Sequence, residues 1–283
     1  MTTCFFASDL HGRPARYRAL FSAIDRERPD AVFLGGDLLP SFGFARPAEE
    51  EPIDDFVRDF LVPGFRDRPV KPRVFLILGN DDPRAEEPGI LDAQAAGVWE
   101  YVHDRAVDLD GRRVFGYAYV NPTPFGLKDW ERYDVSRYVD PGCISPEEGQ
   151  RSVPVRGNEI RYATIAGDLE RLADGEDLDD AIFLFHAPPY RTNLDRAALD
   201  GKRIDHVPLD VHVGSIAIQR FIEARQPLVT LHGHIHESAR ITGDWRDRIG
   251  RTHLFGAAHH GSELALVRFD PAEPEKATRE LLP

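Results

Sequence analysis

Five short apolar runs in this chain stop abruptly at a polar turn, and that repeated pattern narrows the available folds more than any other feature. Cys4–Ala7 runs into Ser8-Asp9-Leu10-His11, Ala31–Leu34 into Gly35-Gly36-Asp37, and Val74–Leu78 into Gly79-Asn80-Asp81-Asp82. Further on, Ala181–Phe185 ends in His186-Ala187-Pro188-Pro189, and Leu228–Leu231 in His232-Gly233-His234-Ile235-His236. Unbroken apolar runs bounded by turn formers read as strands buried on both faces. Helical patterns lie between them, at about Ala15–Arg28, Ile53–Leu61, Glu159–Ala173 and Val213–Ala224. Further strands are expected at Arg113–Val120, Thr252–Gly256 and Glu263–Phe269. Strands alternating with helices predict an α/β layered fold with ligands at the carboxyl ends of the strands.

The length of 283 residues is divided into one domain over residues 1–270 and a polar tail over 271–283, rich in Pro, Glu and Lys. Two segments interrupt the strand–helix rhythm, near 40–72 and 121–157; loops this long are lids, binding surfaces or disordered chain. Trp130, Tyr133 and Tyr138 in the second segment either stack on an aromatic ligand or pack the loop down.

The net charge of −13, with no basic run, excludes a broad grip on nucleic-acid backbone. A phosphate-bearing substrate must then be a small one, drawn in locally by metal ions or single arginines. The two cysteines, Cys4 and Cys143, form neither a disulfide framework nor a zinc cluster, which fits a reducing, cytoplasmic setting. The amino-terminal run is cut off at once by Asp9, unlike a signal peptide, and no stretch is long and apolar enough to span a bilayer.

Each polar strand end is weak by itself. A lone strand-end Asp caps a helix more often than it binds a metal, and a lone Asn is more often an Asx turn. The pair His234 and His236 is stronger, because imidazoles at i and i+2 project from one side of extended chain. Together, Asp9, His11, Asp37, Asn80, His186, His234 and His236 put oxygen or imidazole donors at five strand ends on what should be one edge. Mixed N/O ligation without thiolates suits Mn, Fe, Zn or Ni, and argues against structural zinc.

These ordered blocks, Asp9-x-His11, Gly36-Asp37, Gly79-Asn80-x-Asp82, His186 and Gly233-His234-x-His236, resemble the calcineurin-like metallophosphoesterase superfamily. The resemblance runs from residue 4 to about residue 269. The surroundings of His186, His212 and His234 further resemble its Icc-like branch of phosphoesterases. The resemblance implies a four-layer α/β/β/α sandwich of two mixed β-sheets flanked by helices. It implies one metal on Asp9, His11 and His236, a second on Asn80, His186 and His234, and Asp37 bridging them. The two divalent ions, manganese by preference, would generate a bridging hydroxide that attacks phosphorus.

One position departs from the family's commonest pattern. The residue after the ligand Asn is usually a His that assists the leaving group, and this chain has Asp81 there. That shifts the expectation toward a phosphodiester, with nucleotides and cyclic nucleotides among the candidates, over an unactivated monoester, and leaves the acid to be found. His212 or His206 can be considered for it, and Arg191 with Thr192 for a phosphate contact. His259 and His260 are given no role; His103, His232 and His253 are read as structural or surface groups. The alternatives are a phosphomonoesterase and a non-catalytic interaction scaffold, although a scaffold has no need of seven intact donors.

Overall fold

A computed structural model describes residues 2–40 and 53–283. In chain order the elements are β1 (Cys4–Ala7), α1 (Pro14–Glu27), β2 (Ala31–Gly35), α2 (Val62–Arg66), β3 (Arg73–Ile77), α3 (Glu87–Ala95), β4 (Glu100–Tyr101), β5 (Arg105–Leu109) and β6 (Arg112–Tyr117). There follow α4 (Gly157–Tyr162), α5 (Ile165–Leu172), β7 (Ile182–Phe185), β8 (Arg203–Ile204), β9 (Val207–Pro208), α6 (Ile216–Arg225), β10 (Val229–His232), α7 (Ser238–Thr242), β11 (Arg246–Ile249), β12 (Thr252–Gly256), β13 (Leu264–Phe269) and β14 (Thr278–Leu282).

Two six-stranded mixed sheets result, ordered β14-β13-β1-β2-β3-β4 and β11-β12-β10-β7-β6-β5. In the first, β1, β2, β3 and β4 run parallel, β13 lies antiparallel beside β1, and β14 lies antiparallel beside β13. In the second, β6, β7, β10 and β12 run parallel between two antiparallel edges. The sheets pack face to face: the Phe255 ring of β12 meets Phe269 of β13 with centroids 5.7 Å apart. Outside the second sheet, Phe221 of α6 packs edge-on against Phe183 of β7 at 5.1 Å. Every residue of β1, β2, β7 and β10 is buried, as the unbroken apolar runs predict. Each such Phe, Leu or Val contributes about 1.5–3 kcal/mol by leaving water, so these strands form the core that holds the loops at their ends.

Several expectations need correction. The single helix expected over Glu159–Ala173 is two, because Thr164 leaves the helical path and accepts a bond from Gly167 N at 3.1 Å, capping α5. The expected helix Ile53–Leu61 is a π-helical turn over Val57–Leu61 that continues into α2. The part of the 40–72 segment spanning residues 41–52 lies outside the described residues. The end of the chain is no free polar tail: Thr278–Leu282 pairs antiparallel with β13 as the sheet's outer strand. An edge strand facing water needs few apolar residues, so composition hides it. Arg268 secures it by binding Glu280 at 2.9 Å.

The 121–157 segment has no helix or named strand before α4 begins at Gly157, yet it is firmly packed. Trp130 is fully buried, its Nε1 donating to Asp82 O at 2.9 Å, so it packs the loop down. Lys128 and Glu131, both buried, pair at 2.5 Å, and Thr123 N donates to Glu131 at 2.9 Å. Tyr138, by contrast, is 67% exposed. No helix among the described residues is long and apolar enough to cross a membrane.

Candidate metal centre

Parallel strands place their carboxyl ends on one edge, and β1, β2, β3, β7 and β10 deliver the seven donor residues there. The strand pairing continues into the loops. Asp9 N donates to Gly36 O at 2.9 Å, and His11 N to Asp37 O at 2.8 Å. Asp9, His11, Asp37 and His234 all have positive φ, between 48° and 74°. That costs of order 1–3 kcal/mol per non-glycine residue and persists only where the surroundings impose it. Gly233 is required, since a Cβ there would strike Ser8 and the Asp9 carboxylate.

Two clusters of donor atoms form. Asp9, His11, Asp37 and His236 make one, and Asp37, His186 and His234 the other, each within 4.8 Å. His236 Nε2 lies 3.1 Å from Asp9 Oδ1 and 3.1 Å from His11 Nε2. Two imidazole nitrogens that close cannot both present lone pairs without a cation or proton between them. Donors about 3 Å apart are what a metal with bonds of about 2.0–2.1 Å gathers around itself. In the second cluster, His186 Nε2 stands 3.0 Å from Asn80 Oδ1 and 3.3 Å from Asp37 Oδ2. Its Nδ1 faces Gly35 O at 2.7 Å, so Nδ1–H donates there and Nε2 is left as the ligand atom.

The electrostatics fit dications. Asp9 and Asp37 are fully or almost fully buried, and their close ionic partners among the described residues are histidines. Burial alone would raise the pKa of Asp9, but the hydrogen bond and charge of His236, then His186 and His11, hold it well below the usual range. Burial opposes charge on His186 too, yet the Asp37 charge and hydrogen bond lift it to about 10. The carboxylates demand positive charge, for which protons and metal ions compete. His234 is pushed down to about 3 by burial and by the charge of His186, keeping it in the neutral form a ligand needs.

The sequence model for calcineurin-like phosphoesterase matches residues 3–238. The chain belongs to this family. Its members are metal-dependent phosphoric ester hydrolases with a dinuclear divalent centre, and the phosphoesterase described here carries candidate ligands for one. A comparison with curated proteins finds no match. Among solved structures, one crystal structure is similar at TM-score 0.61 and 16% identity, covering 99% of each chain. The crystal structure of TT1561 of Thermus thermophilus is similar at TM-score 0.59 and 17% identity, covering 99% of this chain and 98% of that one. At such identities the likeness is one of fold.

The remaining candidates of the phosphoesterase fall in different places. Asp81 adjoins the centre: its N donates to Asp37 Oδ1 at 2.8 Å, and its carboxylate lies 3.5 Å from His11 Nδ1. His212 is in neither cluster; its Nδ1 binds Asp195 at 2.8 Å. Arg191 is exposed, with its guanidinium 5.2 Å over the Tyr190 ring. His206 sits with Asp205, both at positive φ, in the exposed turn between β8 and β9. His232 is structural: it stacks on Phe185 and bonds Ala187 O at 2.9 Å and Thr230 Oγ1 at 2.8 Å. His259 pairs with Glu263 at 3.2 Å.

Three residues that brace the phosphoesterase site were not assigned roles from sequence. Asp82 accepts from Leu38 N at 3.1 Å, Leu39 N at 2.7 Å and Gly79 N at 2.8 Å, tying the Asp37 loop to the Asn80 loop. Asp195 accepts from Arg191 N and Thr192 N at 2.9 Å and Gly214 N at 3.1 Å, fixing the loop after His186. Buried Arg16 binds the Asp9 carbonyl and, at 2.5 Å, Gly261 O. Asp82 left a sequence signal as the last residue of its Gly-Asn-x-Asp block, and Asp195 as the end of the stretch after His186 that carries the resemblance.

Proposed function

We propose that this phosphoesterase hydrolyses a small phosphodiester, of nucleotide or cyclic-nucleotide size, with manganese as its native ion. The observation that carries the reading is Asp37, one carboxylate belonging to both donor clusters. Two-metal hydrolytic sites hold their ions about 3.5–4 Å apart, a separation one carboxylate can span. Asp9, His11 and His236 would hold one ion, and Asn80, His186 and His234 the other. When bound, the pair supplies Lewis acidity and lowers the pKa of water toward neutrality.

The chain's own residues hold and orient. Gly35 O fixes the His186 tautomer, and Asp9 accepts from His234 N at 3.0 Å, aligning the loop that carries two imidazoles. Asp81 supports the diester preference. A phosphomonoester brings about 1.5–2 negative charges at neutral pH, a diester one; burial and the Asp37 charge already push the Asp81 carboxyl up to about 7, so this side of the site, 3.5 Å from His11, resists a further negative charge. With no imidazole at that position, leaving groups that need little protonation suit the site.

Dialysis against a chelator should abolish hydrolysis, and Mn²⁺ should restore it. On aryl phosphodiesters of graded leaving-group pKa, turnover should fall as that pKa rises and should exceed that on matched monoesters. A faster monoester overturns the diester reading, and a flat dependence removes the role given to Asp81.

A further inference from the structure

A cleft of about 590 Å³ opens between the α2–β3 connection and the α3–β4 turn, with β5 along one side, and none of its lining residues is a metal donor. Arg73 opens β3 on this cleft and Asn80 follows the other end of the strand, so cleft and metal centre lie at opposite ends of β3. Sites for small organic ligands run from about 300 to 1,000 Å³, and the cleft falls in that range.

The back of the cleft is apolar. Phe65 and Trp99 meet edge to face with centroids 6.2 Å apart, and Trp99 Nε1 donates to Ile90 O at 2.9 Å, so the indole offers only ring surface. Val98 and Val107 are half-buried, which leaves part of each side chain within reach of a ligand. The mouth is cationic, in a chain whose net charge is −13: Arg66, Lys71, Arg73 and Arg105 line it against one carboxylate, Glu100. Arg73 already neutralises Glu100, with Nε 3.0 Å from Oε1 and Nη2 3.1 Å from Oε2, and Arg66 pairs with Asp67 at 3.3 Å. Two cations are left over. Lys71 has no ionic partner among the described residues. Arg105 donates from Nη2 to a neutral acceptor, Gln94 Oε1, which also accepts from Tyr101 N at 2.8 Å, so the guanidinium is held in place with its charge uncompensated.

We infer that this cleft binds an aromatic carboxylate of about two fused rings. The rings lie along Val98, Val107 and the edge of Trp99. The carboxylate faces Lys71 and the Arg105 guanidinium, whose planar fork matches two carboxylate oxygens. An engineered cavity of about 150 Å³ accepts benzene, so one of about 590 Å³ holds a bicyclic body with its head group and some water. An ammonium is repelled by the two uncompensated charges, a neutral analogue leaves them unanswered, and a long polyanion is opposed by the acidic exterior. The site is separate from the metal centre, so its occupancy is read directly and not through hydrolysis.

The test is titration of the full chain, with no paramagnetic metal added, by naphthoate, naphthylmethanol, naphthylmethylammonium and acetate. NMR follows the Trp99 indole N–H and the Gly97 backbone amide in the cleft, and the Gly233 amide at the metal edge. Saturable, submillimolar shifts at the two cleft reporters are expected for naphthoate alone. Lys71→Gln and Arg105→Gln should each weaken it roughly two- to fivefold, the range of an exposed charge contact, and Val98→Asp should abolish it. Lys71 has no ion pair to lose, so that variant should melt with the parent. Binding of the alcohol, the ammonium or acetate as tight as that of naphthoate, shifts at Gly233 only, or no saturable shift in the cleft would each overturn the assignment. So would full affinity in a folded protein carrying both Lys71→Gln and Arg105→Gln. Shifts at the cleft reporters on raising protein concentration alone would give the cleft to a second copy of the chain, and would overturn it as well.

Discussion

The strand-end loops and the 121–157 segment are both irregular chain tied by backbone hydrogen bonds, but they draw different help from side chains. The loops at 8–12, 36–39 and 79–82 are short and tied by hydrogen bonds to backbone N–H groups, with positive φ in the first two and Asp82 as the acceptor shared by the second and third. The long segment has backbone ties of its own, such as Lys128 N to Gln150 O and Ile144 N to Thr123 O, and adds buried side chains: Trp130, the Lys128–Glu131 pair, and Asp129, which accepts from Arg84 N at 2.8 Å. Where donor atoms must be placed to a few tenths of an ångström, short rigid backbone does the placing. Where a wall is needed, buried side chains reinforce the backbone. The regions meet at the bond from Trp130 Nε1 to Asp82 O.

The largest effect expected is at the residue both clusters share. Asp37→Ala should remove both metals and hydrolysis, well beyond the roughly 10–100-fold that loss of an outer partner costs; metal stoichiometry by elemental analysis checks it, and retained metal refutes the shared role. Next is the brace. Asp82→Ala leaves three buried N–H groups without their acceptor, each costing about 1–3 kcal/mol. A loss of about 3 kcal/mol would lower Tm by roughly 6–12 °C for a chain of this size. An unchanged melting curve would mean the short loops hold themselves, and the contrast with the long segment would lapse.

The third prediction concerns pH and the buried pair. Burial raises the Glu131 carboxyl to about 7, with Lys128 and Thr123 opposing, against about 4.3 in an unfolded chain. The folded state then keeps this proton over a range where the unfolded state has released it. Its contribution is fully present below about pH 4.3 and is lost as pH rises toward 7. Urea midpoints should therefore shift in favour of Glu131→Gln, relative to the parent, between about pH 5 and pH 7; a constant difference would show that the pair titrates normally. The smallest effect is expected at Arg191, which stacks on Tyr190 and is exposed. Arg191→Ala should change KM less than about fivefold, and a larger rise would bring it to the substrate.

Legibility in the sequence follows the same division. Strands buried on both faces announce themselves as apolar runs, and donors at their ends inherit that clarity, so Asp9, Asp37, His186 and His234 could be placed on one edge before any coordinates. The edge strands β4, β5, β11 and β14 could not, since one partner and a wet face impose no apolar pattern. Nor could Asp195 or Arg16, whose roles depend on loops far apart in sequence. The buried Lys128–Glu131 pair was equally hidden, because a charged i, i+3 pair reads as surface until its burial is known.

The order of strands in the first sheet also sets a schedule. β1 lies between β2, at residues 31–35, and β13, at residues 264–269. At roughly 5–20 residues per second of synthesis, one side of this fully apolar strand waits on the order of 10–50 s for its second neighbour. Until then the newborn chain presents an open, sticky edge beside the loop that carries Asp9 and His11. For that interval the strand's free edge is open to pairing with whatever chain is nearest, its own middle part included.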